Sequence, residues 1–86
     1  MNLTFTREAW DHYTYWQEHD RATLPKIGRL IEECLRHPFE GTGKPEPLKG
    51  DFAGFWSRRI DREHRLVYRV SESSLEIVQC RFHYAP

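Results

Sequence analysis

Apolar positions change their period halfway along the chain. Near the start, Ala9, Trp10, Tyr13 and Trp16 recur at helical spacing behind Thr6, which can cap a helix whose first turn carries Glu8. The stripe reads most simply as core, and Asn2 to Phe5 before it suits a short strand. Leu24, Ile27, Leu30, Ile31, Cys34 and Leu35 mark a second amphipathic helix that stops before Pro38. Pro25 is tolerable there only if the regular helix begins close to it, with Thr23 as the cap, because deeper in a helix proline removes a hydrogen bond.

From Pro38 to Gly50 prolines and glycines are too dense for a helix or a strand, so this stretch reads as a loop. Beyond it three extended runs follow, Gly54 to Ile60, Arg65 to Val70 and Leu75 to Phe82, separated by the polar turns 61–64 and 71–74. They predict an antiparallel meander. The expected fold is α+β in the order β-α-α-β-β-β, with two N-terminal helices packed on one face of a small, mainly antiparallel twisted sheet and the other face open to a ligand. With no repeat, linker or low-complexity tract, residues 1–86 are expected to form a single domain.

Composition narrows the functional classes. The formal net charge is zero, which argues against a nonspecific polycation, but its distribution is uneven. Residues 1–43 carry five basic and seven acidic side chains, whereas residues 44–86 carry eight and six. Cys34 and Cys80 are far apart in sequence and no secretory signal leads the chain, so free thiols in a cytoplasmic setting are expected, with no membrane span. Two apparent motifs fail. Gly41-Thr42-Gly43-Lys44 lacks the phosphate-loop signature, which needs glycine at Pro38 and serine or threonine at Pro45. The five histidines have no zinc-ligand spacing, and neither cysteine belongs to a Cys-x-x-Cys pair.

What remains is acid-base chemistry. Glu46 sits between Pro45 and Pro47, whose rings limit its backbone and preorganise a carboxylate. His83 ends the last predicted strand, and an imidazole is the natural proton donor at neutral pH. Arg65 opens the middle strand of the meander, where its guanidinium can pair with a phosphate through two parallel hydrogen bonds. Tyr84 can stack on a base or bond the phosphate. Taken singly, each also reads as an exposed loop glutamate, a terminal histidine, a surface arginine and a packed aromatic. Together they are the groups needed to cleave RNA without a metal.

These residues lie within longer stretches that closely resemble the YoeB toxins of the RelE/ParE superfamily. The resemblance runs through Trp10-Asp11-x-Tyr13-x-Tyr15-Trp16-Gln17 and His37-Pro38-Phe39-Glu40-Gly41-x-Gly43-Lys44-Pro45-Glu46-Pro47-Leu48-Lys49. It continues in Gly54-Phe55-Trp56-Ser57-Arg58-Arg59-Ile60, Glu63-His64-Arg65-Leu66-Val67-Tyr68 and Cys80-Arg81-x-His83-Tyr84. It covers nearly the whole chain and implies a RelE-like fold and a ribosome-dependent mRNA endonuclease, the toxin of a type II toxin–antitoxin pair that cuts mRNA in the ribosomal A site. By position it implies Glu46 as general base and His83 as general acid, with Arg65 and Tyr84 supporting phosphate and nucleotide. Lys49 and Arg59 match basic positions facing RNA, and Arg81 is expected to join them. The implied partners are a YefM-like antitoxin, the ribosome and mRNA, with a homodimer also compatible, and no cofactor is expected. Pro25 and the Ala85-Pro86 extension depart from the family pattern. A ParE-like inhibitor of DNA gyrase is the alternative, disfavoured by Glu46, Arg65 and His83 occurring together, and a copy that only binds its antitoxin is a third reading.

Overall fold

The computed structural model describes residues 1–83. Strand β1 (Asn2–Phe5) leads into helix α1 (Arg7–His19), a 3-10 turn (Arg21–Thr23) and helix α2 (Leu24–Arg36). Four strands follow: β2 (Glu46–Pro47), β3 (Trp56–Arg59), β4 (Arg65–Val70) and β5 (Ser74–Gln79). They form one five-stranded sheet in the order β1-β5-β4-β3-β2. Among the described residues β1–β5 is a parallel pair, whereas β5–β4, β4–β3 and β3–β2 are antiparallel. No helix among the described residues is long and apolar enough to cross a membrane.

The expected mainly antiparallel α+β architecture is present, with one added element. Glu46–Pro47, read from sequence as loop, pairs with Ser57 and Trp56 as a short edge strand. An edge is where a sheet accepts proline, because the missing N–H faces outward. The helices start largely as their caps suggest. Thr6 accepts a hydrogen bond from the Ala9 N–H at 3.1 Å. Thr23 precedes α2 but does not cap it with its side chain: its backbone is already helical, and its hydroxyl bonds Asp20 at 2.9 Å instead. Pro25 falls in the first turn of α2, where the helix has no use for its N–H.

Core residues come from both helices and one sheet face. Ala9, Trp16, Ile27, Leu30, Ile31 and Cys34 meet Leu66, Tyr68, Leu75 and Ile77. Trp10 departs from the expected stripe. It is 45% exposed and stacks on Tyr13 beside Phe5, while His12 takes a buried position on α1.

The largest fully buried side chain is a charged one, Arg58, which has no solvent exposure. Its Nε donates to the Tyr68 hydroxyl at 3.2 Å, and Nη1 donates to Glu33 Oε1 at 2.9 Å and the Thr42 carbonyl at 3.1 Å. Nη2 donates to the carbonyls of His37 and Glu40. All five N–H donors of the guanidinium therefore have acceptors. The Thr42 backbone N–H, foremost, and Arg58 hold the Glu33 carboxyl below its ordinary range. Burial pushes the Tyr68 phenol up to about 12, so it stays protonated and donates to the Pro38 carbonyl at 2.6 Å. A hub of side chains thus holds residues 37–42 in place of a ladder. Gly41 is required in it: its φ is +116°, and a Cβ there would overlap the Glu33 carboxylate.

A second set of side chains replaces the sheet at the far end of β5. The predicted strand to Phe82 stops at Gln79. His12 Nδ1 accepts the Cys80 N–H at 3.2 Å, and Trp16 Nε1 donates to the Cys80 carbonyl at 2.8 Å. Cys34 and Cys80 are free and buried, and burial raises both thiols, Cys80 to about 12.

Two outcomes are expected. Arg58→Met strips the buried acceptors of their donors and should cost about 3–5 kcal/mol, as breaking a buried pair on one side typically does. Urea denaturation checks this, and a loss under about 1 kcal/mol would show that the hub does not govern stability. His12 must be neutral to accept from Cys80, and burial, above the effects of Glu8, Arg81 and Asp11, lowers its pKa from 6.5. The unfolded chain then binds the extra proton more readily, so stability should decline as pH falls below about 6.5 and level off beneath the lowered folded value. His12→Asn, which keeps an acceptor but cannot titrate, should flatten that slope in denaturation measured from pH 7.5 to 5.

Candidate active site

Alternation along β3 divides its side chains between the two sheet faces. Trp56 and Arg58 turn to the helices, while Ser57 and Arg59 share the other face with Val67 and Arg65 of β4, their register partners. Glu46 joins this second face because β2 sets it opposite Ser57. The loop returns through Gly43, whose carbonyl accepts the Arg59 N–H at 2.7 Å and whose φ is +86°. A Cβ at that glycine would crowd Arg58 and the Arg59 carbonyl at 3.1 Å. Leu48 continues the edge pairing, its N–H bonding the Phe55 carbonyl at 2.9 Å.

Arg65 is the junction of the site. Only 7% exposed, it donates through Nη2 to Glu46 Oε1 at 2.8 Å and to Ser57 Oγ at 2.7 Å. Its backbone N–H bonds the Phe82 carbonyl at 2.9 Å, which places His83 next to it in the fold. Arg65 and His83 line one cleft of about 270 Å³ with Arg59, Asp61 and Arg62. Arg59 and Arg65 are directly opposed across β3 and β4. Like charges in that position repel, so an anion between them would be stabilising. Glu46 answers Arg65 from one side, and the Glu46 side chain remains 49% exposed and open to a ligand.

Sequence-predicted residues thus divide by location. Arg65 connects Glu46, which it bonds, with His83, whose cleft it lines together with Arg59. Lys49 is exposed just before the 3-10 turn Gly50–Phe52 and is not among the cleft-lining residues. Arg81 is half-buried against α1, its guanidinium 3.4 Å from the Tyr15 ring centre and 4.3 Å from that of Phe82. Tyr84 lies outside the described residues. Sequence reasoning missed Ser57, Asp61 and Arg62. The period-two alternation that pairs Ser57 with Arg59 was available as a signal for Ser57, whereas Asp61 and Arg62 sit on a turn whose direction depends on tertiary structure.

Comparison with known proteins bears on the family and the fold. A family model described as the YoeB-like toxin of bacterial type II toxin-antitoxin systems matches residues 5–84. Toxin YoeB of Escherichia coli K12 is 57% identical over 84 residues, covering 98% of this chain and 100% of the relative. Among solved structures, a YoeB/ParE toxin from Agrobacterium tumefaciens superposes with a TM-score of 0.94 at 58% identity, over 98% of this chain and 100% of that one. A toxin chain of the YoeB-YefM complex from Staphylococcus aureus gives 0.89 at 41% identity, covering 98% of both. With a full-length sequence match and a matching fold, the chain belongs to the YoeB-like toxin family of bacterial type II toxin-antitoxin systems.

Proposed function

We propose that this chain is a ribosome-dependent mRNA endonuclease that cuts mRNA in the ribosomal A site. The observation that carries the reading is the position of Arg65, bonded to Glu46 and lining one cleft with His83. Glu46, already oriented by that bond, takes the proton of a ribose 2′-hydroxyl, and the resulting oxygen attacks the adjacent phosphorus in line. Arg65, with Arg59 and Arg62 around the same cleft, neutralises charge growing on the phosphoryl oxygens. His83 protonates the departing 5′-oxygen, so the products are a 2′,3′-cyclic phosphate and a 5′-hydroxyl. DNA has no 2′-hydroxyl and does not react this way. No metal or cofactor enters the proposed chemistry. Tyr84 supports the nucleotide, and Lys49 and Arg81 add basic contacts to RNA.

The protein partner proposed is a YefM-like antitoxin, in keeping with the Staphylococcus complex, and the compartment is the cytoplasm, where mRNA and ribosomes are met. The ribosome is needed for a physical reason. Zero net charge provides little long-range attraction for free RNA, whose nonspecific affinity is dominated by phosphate contacts. A decoding site that holds the mRNA in line supplies orientation worth up to ~7–11 kcal/mol.

Glu46→Gln and His83→Gln should each slow cleavage by ~10²–10⁴ while circular dichroism stays unchanged. Glu46→Gln still offers Arg65 an acceptor, so its effect isolates the base. Full activity in both folded variants would remove the assigned roles. One mRNA, presented naked and in a programmed ribosome with an empty A site, should be cut much faster in the second setting. Equal rates would make this a free-standing ribonuclease, and inhibition of gyrase supercoiling without mRNA cleavage would point to the ParE-like activity.

A further inference from the structure

The general acid proposed above sits beyond the end of the sheet, where no strand ladder fixes its backbone. Its predecessor, Phe82, has φ +68°, a left-handed conformation that a non-glycine residue adopts only when its surroundings hold it. Three hydrogen bonds do so. The Phe82 carbonyl accepts from the Arg65 N–H at 2.9 Å and from Gln79 Nε2 at 3.1 Å, and the Phe82 N–H donates to His64 Nδ1 at 2.7 Å.

His64 is itself fixed. Its side chain is 14% exposed, its ring meets the Trp16 edge-to-face at 4.8 Å, and Nε2 lies 3.2 Å from Glu63 Oε2. Its backbone closes the turn before β4: the N–H bonds Asp61 Oδ1 at 2.7 Å, and the carbonyl accepts the Ile60 and Asp61 N–H groups. An Nδ1 that accepts requires the proton on Nε2, where the Glu63 carboxylate can receive it as a hydrogen bond. Residue 64 therefore grips the chain one step before His83, while its neighbour Arg65 grips the same residue from the other side and carries the phosphate-facing guanidinium.

We infer that His64 is a positioning residue for His83, using Nδ1 as the acceptor that locks Phe82 and so sets where the imidazole of the next residue stands relative to Arg65. This role rests on the acid–base reading of the site. His64 does not reach the reacting atoms. It acts on the chemical step through geometry, where displacement of a catalytic group by about 1 Å can cost ~10²-fold.

The test uses two amides that place an acceptor differently. In His64→Asn the side-chain oxygen can occupy the place of Nδ1, whereas in His64→Gln it falls nearer Nε2 and leaves the Phe82 N–H without its partner. Single-turnover cleavage on a programmed ribosome should show kcat falling by up to ~10² in His64→Gln, with KM little changed, and largely retained in His64→Asn. Amide hydrogen exchange at Phe82 should quicken in His64→Gln and stay slow in His64→Asn. In a His83→Gln background neither substitution should lower the rate further, because the group they position is already gone. Equal losses in both amides, a wild-type kcat in folded His64→Gln, or an added loss on top of His83→Gln would each overturn the inference. So would collapse of the fold in both variants, which would make His64 a structural residue. If His83→Gln itself cleaves at the wild-type rate, the acid–base reading has failed, and the role of His64 falls with it.

Discussion

A guanidinium with no access to water must have every N–H answered, and in this protein that requirement shapes the structure around Arg58. Its five donors reach Glu33 on α2, Tyr68 on β4 and the carbonyls of His37, Glu40 and Thr42. An arginine cannot shed its proton to escape burial, so these acceptors are obligatory partners. The long loop owes its path to them. It contains too many prolines and glycines to make its own ladder, and the hub supplies the hydrogen bonds that secondary structure would otherwise provide.

From that hub the active face follows by strand geometry. Arg58 and Arg59 are neighbours on β3 and point to opposite sides, so the residue that anchors the loop and the residue that lines the cleft share one stretch of backbone. The loop held by Arg58 returns along β3 through the Gly43–Arg59 bond and delivers Glu46 opposite Ser57. Arg65 then reaches both from the next strand. A two-residue strand thus brings a carboxylate on the sheet edge to the arginine that opens β4, and that arginine lines a cleft with His83 beyond the last strand.

The acidic and basic halves of the chain also meet in a physically sensible way. Positive charge from Arg59, Arg62 and Arg65 is concentrated in one cleft, with Asp61 engaged in the turn beside it. The rest of the surface balances it to zero net charge. Such a field favours an anion locally and exerts little pull at a distance. At the far end of the site, side chains of α1 and of the 61–64 turn take over from the sheet. His12 and Trp16 bind Cys80, Arg81 stacks on Tyr15, and His64 binds Phe82.

Local pattern determined much of this protein. The helix starting at Thr6, the apolar stripe of α2, the early position of Pro25 and the strands around Val67 and Ile77 were legible, because capping, period and proline chemistry act over a few residues. The proposed acid–base set of Glu46, Arg65 and His83 was legible only as residue types and from the family resemblance. Its assembly was not. That Glu46 would be a strand residue, that Trp10 would face outward while His12 went in, and that β5 would yield at Gln79 to side-chain partners all depend on groups 18 to 68 residues apart. Arg58 is the clearest case. Nothing in the local sequence marks it for burial, and only the arrival of Glu33, Tyr68 and the returning loop around one guanidinium offsets the cost of desolvating it, because no segment of the chain holds enough acceptors by itself.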